Sequence, residues 1–394
     1  MIARKACGVC AIIPDYPRAR LDIKFVVESD DPDTFAALAA VLPGAEYDLI
    51  VAPPGLPRTK PRALDIALPF ARGRLLAVFD AEDVPEPDQL RRAAARFARA
   101  GADLGCVQAH LAIDNAQDNW LTGLYALDYA ALFEVINPGL AALDFPMLLG
   151  GTSNHFRTDI LRSIGGWDAW NVTEDADLGL RLARCGYRVE TFDSQTFEEA
   201  PNAVRAFLRQ RVRWMKGWMQ TAYVHLRSPR ALWRNLRPLA FVVTIATFVS
   251  GVLSPLLWPF FLVGLVADAW SGVLFAPPNL ADYVVDVSAC ALAIAGVAAM
   301  VWPALVGMRR QSLGGLAPLL ALLPVWHILL CLAAWRALFD LWRNPHAWAK
   351  TTHGVARARS RPRYRQSISR ASSAPIARAT TRPISERTTT PASS

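Results

Sequence analysis

The chain has 394 residues, roughly two to three domain lengths, so a single small module is excluded. Apolar residues make up 53% and charged residues 19%, below the roughly 25% of an average soluble protein, which indicates membrane-embedded segments. The formal charge of +8 lies in residues 355–394, which hold nine arginines against one glutamate. A basic surface spread over the whole chain is therefore absent, which argues against a nucleic-acid-binding protein.

Short β-rich runs alternate with helical runs over residues 21–200. Strands are predicted at residues 23–28, 48–52, 75–79 and 105–108, and helices at 34–42, 62–71 and 87–100. This repetition predicts an α/β fold with an open, mostly parallel sheet, right-handed crossovers and ligands at the carboxyl ends of the strands. Residues 1–20 carry neither this pattern nor a signal peptide, so we expect the first half to remain in the cytoplasm.

Acidic residues follow two of the predicted strands. They are Glu28, Asp30 and Asp31 after the first, and Asp80, Glu82 and Asp83 after the third. No glycine-rich dinucleotide or P-loop motif occurs in the sequence, so metal-bridged phosphate is the remaining way to hold a diphosphate. The oxygens of the second group suit Mg²⁺ or Mn²⁺. An acidic turn alone is more often a solvated loop or a helix cap.

A second acidic group, Thr173-Glu174-Asp175, precedes a helical run over residues 177–184 that Gly186 closes. Carboxylates at a helix N-terminus interact favourably with the helix dipole. This structural role would explain the group without any catalytic function.

A basic stretch over residues 201–237 holds nine basic residues and no acid. Gln210 and Arg213 are three residues apart and therefore share one helix face. Together they can hold diphosphate oxygens, while the neighbouring Trp214 can stack on a sugar. Ordinary anchoring at a membrane interface is the alternative, and it is the role that we predict for the following side chains. They are Arg205, Arg209, Lys216 and Trp218.

Three uncharged stretches, at residues 239–267, 287–308 and 311–335, are long enough to cross the hydrocarbon core. Pro255 and Pro259 can break the first of them, so the sequence predicts three or four spans. The basic stretch before them places residues 1–237 on the cytoplasmic side. Arg309 and Arg310 favour three spans, which would place the tail outside the cytoplasm. Four spans would return the tail to the cytoplasm, and we favour a cytoplasmic tail.

Three motifs occur in a fixed order before the spans: Asp80-Ala81-Glu82-Asp83, Thr173-Glu174-Asp175 and Gln210-Arg211-Val212-Arg213-Trp214. With this order, residues 21–354 resemble family 2 glycosyltransferases of the GT-A fold, particularly the membrane-embedded branch that includes bacterial cellulose synthase. The resemblance implies an inverting enzyme of the inner membrane that moves a sugar from a UDP-sugar onto a growing polysaccharide with Mg²⁺ or Mn²⁺. The alternatives are a non-processive transferase that glycosylates a lipid and a catalytically impaired membrane scaffold.

The resemblance also implies a role for each site residue. Asp175 would be the general base, and Asp80 would contact the donor and, with Glu82 or Asp83, the metal. The remaining predicted contacts are Glu28, Lys60, Gln210 and Arg213 to the nucleotide donor, and Gly151, Thr152 and Trp214 to the acceptor. The motifs do not specify the donor sugar, the acceptor or any export or synthase partner subunit.

The predicted organisation has six segments. They are an atypical N-terminal segment (1–20), the glycosyltransferase domain (21–200), basic interfacial helices (201–237), the membrane region (238–336), a membrane-proximal segment (337–354) and a disordered arginine-rich tail (355–394). The first clear strand corresponds to the second strand of the resembling enzymes. We therefore expect an N-terminally shortened form with weak UDP affinity and low stability.

Overall fold

A computed structural model describes residues 15–40, 47–276 and 279–344. The α/β class predicted from the sequence is confirmed, and each predicted strand is present. The strands are β1 (Ile23–Glu28), β2 (Tyr47–Ala52), β3 (Leu75–Val78), β4 (Val84–Pro85), β5 (Leu104–Ile113), β6 (Asn154–Arg157) and β7 (Arg188–Glu198). The segment on which the shortened N-terminus was predicted lies largely outside the described residues.

The strands form a five-stranded sheet in the order β3-β6-β5-β7-β4 and a separate parallel pair, β1-β2. Within the larger sheet only β5 and β7 run parallel, and the other three pairs are antiparallel. The expectation of one mostly parallel sheet was therefore wrong. The reason is that β4 and β6, which have two and four residues, run in the opposite direction to every strand with which they pair.

Helices lie between and around the strands of the α/β part. They are α1 (Pro32–Ala39), α2 (Lys60–Ala67), α3 (Gln89–Arg99), α4 (Trp120–Ala131), α5 (Asn137–Ala142), α6 (Thr158–Ser163) and α7 (Glu174–Arg184). The Asn119 side chain caps α4 by accepting from the backbone N–H of Leu121 at 2.9 Å and of Thr122 at 3.1 Å. Gly186 follows α7 with φ of +81°, a left-handed conformation that suits glycine.

A run of helices follows the α/β part. They are α8 (Val204–Leu226), α9 (Pro229–Asn235), α10 (Pro238–Phe248), α11 (Ser254–Ser271), α12 (Leu280–Arg310) and α13 (Leu323–Arg343), the last after a 3₁₀ segment, Gly314–Leu322. Three helical stretches are long and apolar enough to cross a membrane: Pro238–Ser271, Leu280–Arg310 and Gly314–Arg343. A π-helical turn, Val249–Leu253, joins α10 to α11 just before Pro255, so the proline bends one span instead of breaking it into two.

Among the described residues the structure thus contains three candidate spans and no fourth. The side of the membrane on which the tail lies stays a prediction, because residues 345–394 are outside the described range.

One apolar core joins the α/β part to the spans. Tyr125 of α4 lies edge-on to Phe207 of α8 and to Trp326 of α13, at ring-centroid distances of 6.2 and 5.9 Å. Met308 of α12 is buried in the same cluster. The basic helix α8 therefore contacts both α4, which packs against β5 of the sheet, and α13.

Candidate active site

Lys60 begins α2, and its side chain reaches across to the end of β3. Its ammonium donates hydrogen bonds to Asp80 Oδ1 and to the carbonyl oxygen of Gly151, the latter at 2.6 Å. The backbone N–H of Asp80 donates to Thr152 Oγ1 at 3.2 Å. These four residues, which the sequence placed in three separate segments, therefore meet in one cluster.

Asp175 lies in the first turn of α7, close to the same cluster. A Cβ atom added to Gly151 would lie 3.3 Å from Asp175 Oδ2 and 3.8 Å from Lys60 Nζ. The absence of a side chain at Gly151 thus lets a carboxylate and an ammonium approach the same stretch of backbone.

The carboxylates of Glu174 and Asp175, both in the first turn of α7, lie in a poorly solvated environment that also contains cationic side chains. Burial raises the pKa of Asp175, and the charges of Lys60 and Arg213 oppose this rise. For Glu174, burial and then the neighbouring Asp175 charge raise the pKa to about 7, against the opposing charges of Lys60 and Arg213. A buried carboxylate with a raised pKa is a stronger base than one in water.

Asp83 is buried in the acidic turn and only 4% exposed, and its Oδ2 has no hydrogen-bond partner in the part of the chain that the structure describes. Burial raises the pKa of Asp83 well above its ordinary value, and the charges of Glu198 and Asp80 raise it further. Glu198 ends β7 and accepts a hydrogen bond from the Tyr129 hydroxyl at 3.2 Å. Burial and then the Asp80 charge raise the pKa of Glu198 to about 8. These carboxylates thus repel one another at the edge of the sheet.

This acidic edge fits a divalent cation, which would relieve the repulsion and engage the unpartnered oxygen of Asp83. Glu82 adds to the same repulsion, because its charge also raises the pKa of Asp83. Within the described residues, however, no three His, Cys, Asp or Glu side chains converge as a complete metal site. Oxygen atoms of a bound ligand would therefore complete the coordination of any ion held here.

The predicted residues of α8 divide between two environments. Arg213 donates to the carbonyl oxygen of Val172 at 3.3 Å, and its charge lowers the pKa of Glu174. Gln210 is buried and its Oε1 accepts a hydrogen bond from the Tyr125 hydroxyl at 2.9 Å. The Trp214 ring is stacked on the ring of Tyr129 at 6.5 Å. The structure thus brings Arg213 to the carboxylate pair, whereas Gln210 and Trp214 contact α4.

Glu28, at the carboxyl end of β1, contacts Arg62 of α2, with a carboxylate oxygen 3.6 Å from the guanidinium. Arg62 lies on α2, the helix that also carries Lys60 of the cluster. The predicted nucleotide contact of Glu28 stays a prediction.

A family model described as glycosyl transferase family group 2 matches residues 75–349. The chain belongs to this family. The matched range includes the acidic turn, the α7 carboxylates and the α8 motif. Lys60 and Glu28 precede it.

Curated relatives cover part of the chain. Beta-monoglucosyldiacylglycerol synthases of Trichormus variabilis and of a Nostoc species are each 30% identical over 226 residues, 56% of this chain and 46% of theirs. A probable glycosyltransferase of Bacillus subtilis is 26% identical over 211 residues, 51% of this chain and 49% of its own. The chain therefore spans about half the length of the curated relatives it matches.

Among solved structures, a mannosyltransferase of Pyrobaculum calidifontis in complex with GDP-mannose and Mn²⁺ is similar at 20% identity. The match has a TM-score of 0.48 and covers 87% of this chain and 84% of that one.

Two features of this family 2 glycosyltransferase site were missed in the sequence. Glu198 was missed because β7 was not recognised, although an acid at the end of a strand is the signal that located Asp80. Arg211 was missed because its role depends on contacts distant in the sequence. Its guanidinium is 2.8 Å from Asp128 and lies over four aromatic rings. They are Tyr125 at 4.7 Å, Trp214 at 4.8 Å, Trp326 at 5.1 Å and Phe207 at 5.4 Å.

The prediction that Lys216 is an interface anchor was wrong. Lys216 is 1% exposed, and its ammonium donates to Asp340 Oδ2 at 2.7 Å and to the Asn344 carbonyl at 3.2 Å. A buried ammonium needs such partners, because an unpaired charge is costly outside water. Lys216 therefore joins α8 to the last span.

Proposed function

We propose that the chain is a membrane-bound glycosyltransferase that moves a sugar from a nucleotide-diphosphate donor to a hydroxyl group of a membrane lipid. The observation that carries this proposal is the approach of Lys60 and Asp175 to Gly151, both on the side to which a Cβ atom would project. A base and a cation that both lie close to one backbone segment suit a displacement in which a proton leaves one reactant and negative charge develops on the other.

In the proposed reaction, Asp175 accepts the proton of the acceptor hydroxyl as its oxygen attacks the anomeric carbon of the donor. The bond between that carbon and the diphosphate oxygen breaks, and its electron pair leaves with the diphosphate. One displacement of this kind inverts the anomeric configuration. The raised pKa of Asp175 makes it a better proton acceptor.

Cationic side chains face the position of the leaving group in this proposal. Lys60 and Arg213 are the candidates, because both act electrostatically on the α7 carboxylates. Mg²⁺ or Mn²⁺ held by Asp80 and by Glu82 or Asp83 would act as a Lewis acid that neutralises the diphosphate. Preorganised positive charge of this kind lowers the barrier to departure.

Two observations favour a lipid acceptor over the polysaccharide first expected. Two of the curated relatives carry names of glycolipid synthases, and none of the three is named as a polysaccharide synthase. In addition, Trp214 lies on α8, whose Arg211 is in contact with Trp326 of a membrane helix. An acceptor bound at Trp214 would therefore be close to the bilayer.

We propose the inner membrane as the location, with the α/β part in the cytoplasm where nucleotide sugars are made. The basic residues of α8 and α9 before the first span support this orientation.

The experiment is a transfer assay with the full chain in lipid nanodiscs. Labelled UDP-sugars and GDP-sugars are supplied with Mn²⁺ and diacylglycerol, and products are separated by mass. We expect a lipid that carries one or a few sugars. A long polymer would replace the lipid acceptor with a glycan, and neither transfer nor hydrolysis from any donor by folded protein would contradict the glycosyltransferase proposal itself.

A further inference from the structure

A wide surface cavity of about 600 Å³ lies between α9 and the first turn of α10. Its volume is within the range of small-molecule sites. The cavity is lined by Pro229, Arg230, Trp233, Arg234 and Phe241. It involves none of the residues of the candidate active site.

Two exposed arginines of the cavity lack a side-chain partner among the residues that the structure describes. Arg230 and Arg234 are four residues apart on α9, so their side chains lie on one helix face. Within residues 15–40, 47–276 and 279–344, neither guanidinium makes a hydrogen bond or an ion pair. Arg237, in contrast, donates to the Asp144 carbonyl at 2.9 Å. Two like charges at this spacing repel each other, and an anion between them would remove the repulsion.

The wall between the arginines is apolar. Trp233 is 48% exposed and contacts Phe241 edge-on, with ring centroids 5.1 Å apart. Tryptophan is enriched where one side of a site is apolar and the other is wet, as at the surface of a bilayer. A small soluble anion would leave this apolar wall uncovered.

The cavity lies at the start of the first candidate span, next to α9. Pro238–Ser271 has 34 residues. At about 1.5 Å per residue it extends about 51 Å, compared with a hydrocarbon core of about 30 Å. The helix is therefore longer than the core is thick, and the charged Arg234 and Arg237 just before it favour a position of its first turn at the headgroups.

We propose that this cavity binds an anionic glycerophospholipid. The phosphate lies between Arg230 and Arg234, and the glycerol and the first carbons of the acyl chains cover Trp233 and Phe241. Bound lipid would hold α9 flat against the bilayer next to α8. This proposal does not depend on the proposed function, because it concerns binding and no step of catalysis.

The test is native mass spectrometry of the full chain in detergent after titration with phosphatidylglycerol or phosphatidylcholine. We expect the double variant R230Q/R234Q to bind phosphatidylglycerol about thirtyfold more weakly than wild type, or about 2 kcal/mol, because each arginine near an anionic surface contributes about 1 kcal/mol. The matched control, R74Q/R99Q, removes the same charge from exposed positions of the α/β part and should bind like wild type. Trp233→Ala should weaken binding, and Trp233→Phe should restore it.

Several results would overturn the proposal. These are equal binding by R230Q/R234Q and wild type, equal binding of phosphatidylcholine and phosphatidylglycerol, or displacement of the lipid by water-soluble glycerophosphoglycerol at equal concentration. The last would identify a site for soluble phosphate esters. Loss of a dimer instead of a lipid in R230Q/R234Q would identify the surface as a contact between two copies. Because both arginines are exposed, the melting temperature of the variant in lipid-free detergent should match wild type and exclude misfolding.

Discussion

Replacing Lys60 with methionine keeps a side chain of similar length and removes the ammonium that faces Asp80 and Gly151. The charge of Lys60 also lowers the pKa of Asp175, so the pKa of Asp175 should rise when that charge is lost. An opposite charge within about 4 to 6 Å shifts a carboxylate pKa by about 1 to 3 units. The Lys60 side chain is 26% exposed, so solvent screening favours the lower end, about 1 unit or about 1.4 kcal/mol.

The assay is the pH dependence of kcat/KM for sugar transfer. Asp175 acts as a base only when it has lost its proton, so activity falls as pH drops through its pKa. In Lys60→Met that fall should begin about one pH unit higher than in wild type. The matched control is Lys24→Met. It removes from β1 an ammonium that lies 2.7 Å from the carboxylate of Asp22. It should leave the profile in place. A uniform loss of activity in Lys60→Met at every pH, with the acidic limb unmoved, would refute the coupling between Lys60 and the base.

Three further outcomes are expected. Arg211→Met should lower the free energy of unfolding by about 2 kcal/mol, because it leaves Asp128 unpaired and removes the charge from the aromatic rings. Arg211→Lys should restore part of the lost stability. Unchanged thermal unfolding of Arg211→Met would contradict this role of Arg211. Glu198 has a folded-state pKa of about 8, above its ordinary 4.5, so the folded chain binds a proton that the unfolded chain has lost. In EDTA, stability should therefore fall from about pH 5 to pH 8, and Glu198→Gln should flatten this slope; an equal slope in both proteins would exclude this role. Gly151→Ala places a methyl group 3.3 Å from Asp175 Oδ2 and should reduce kcat about tenfold or more with little change in melting temperature. A wild-type kcat in this variant would show that catalysis does not need the close approach of Asp175 to Gly151.

The elements that the sequence predicted well are those with a strong local pattern. β1, β2, β3 and β5 each begin in a short run rich in apolar residues, and their predicted starts agree with the structure to within one residue. β6 reads Asn-His-Phe-Arg, so it has no such pattern, and it forms a strand because β3 and β5 pair with it on either side. The antiparallel arrangement of the sheet follows from this pairing, which local sequence does not encode.

The site residues also divide into those that local motifs reveal and those that depend on tertiary contacts. Asp80 and Asp175 were found from motifs whose order along the chain carries the information. Glu198 and Lys216 depend on tertiary contacts: Lys216 pairs with Asp340, which lies 124 residues further along the chain. A basic residue in a basic stretch resembles an interface anchor until the helix that buries it is known.

The measurement that tests the central claim most directly compares turnover with donor binding in Asp175→Asn. The control is Asp159→Asn, which changes an exposed acid in the first turn of another helix, α6. Sugar transfer from a labelled nucleotide sugar and the Kd for that nucleotide are measured on the same preparations. If Asp175 is the base, its variant should lose about 10² to 10⁴-fold in kcat with donor Kd unchanged, and the control should match wild type. Turnover near the wild-type rate in Asp175→Asn would contradict the account.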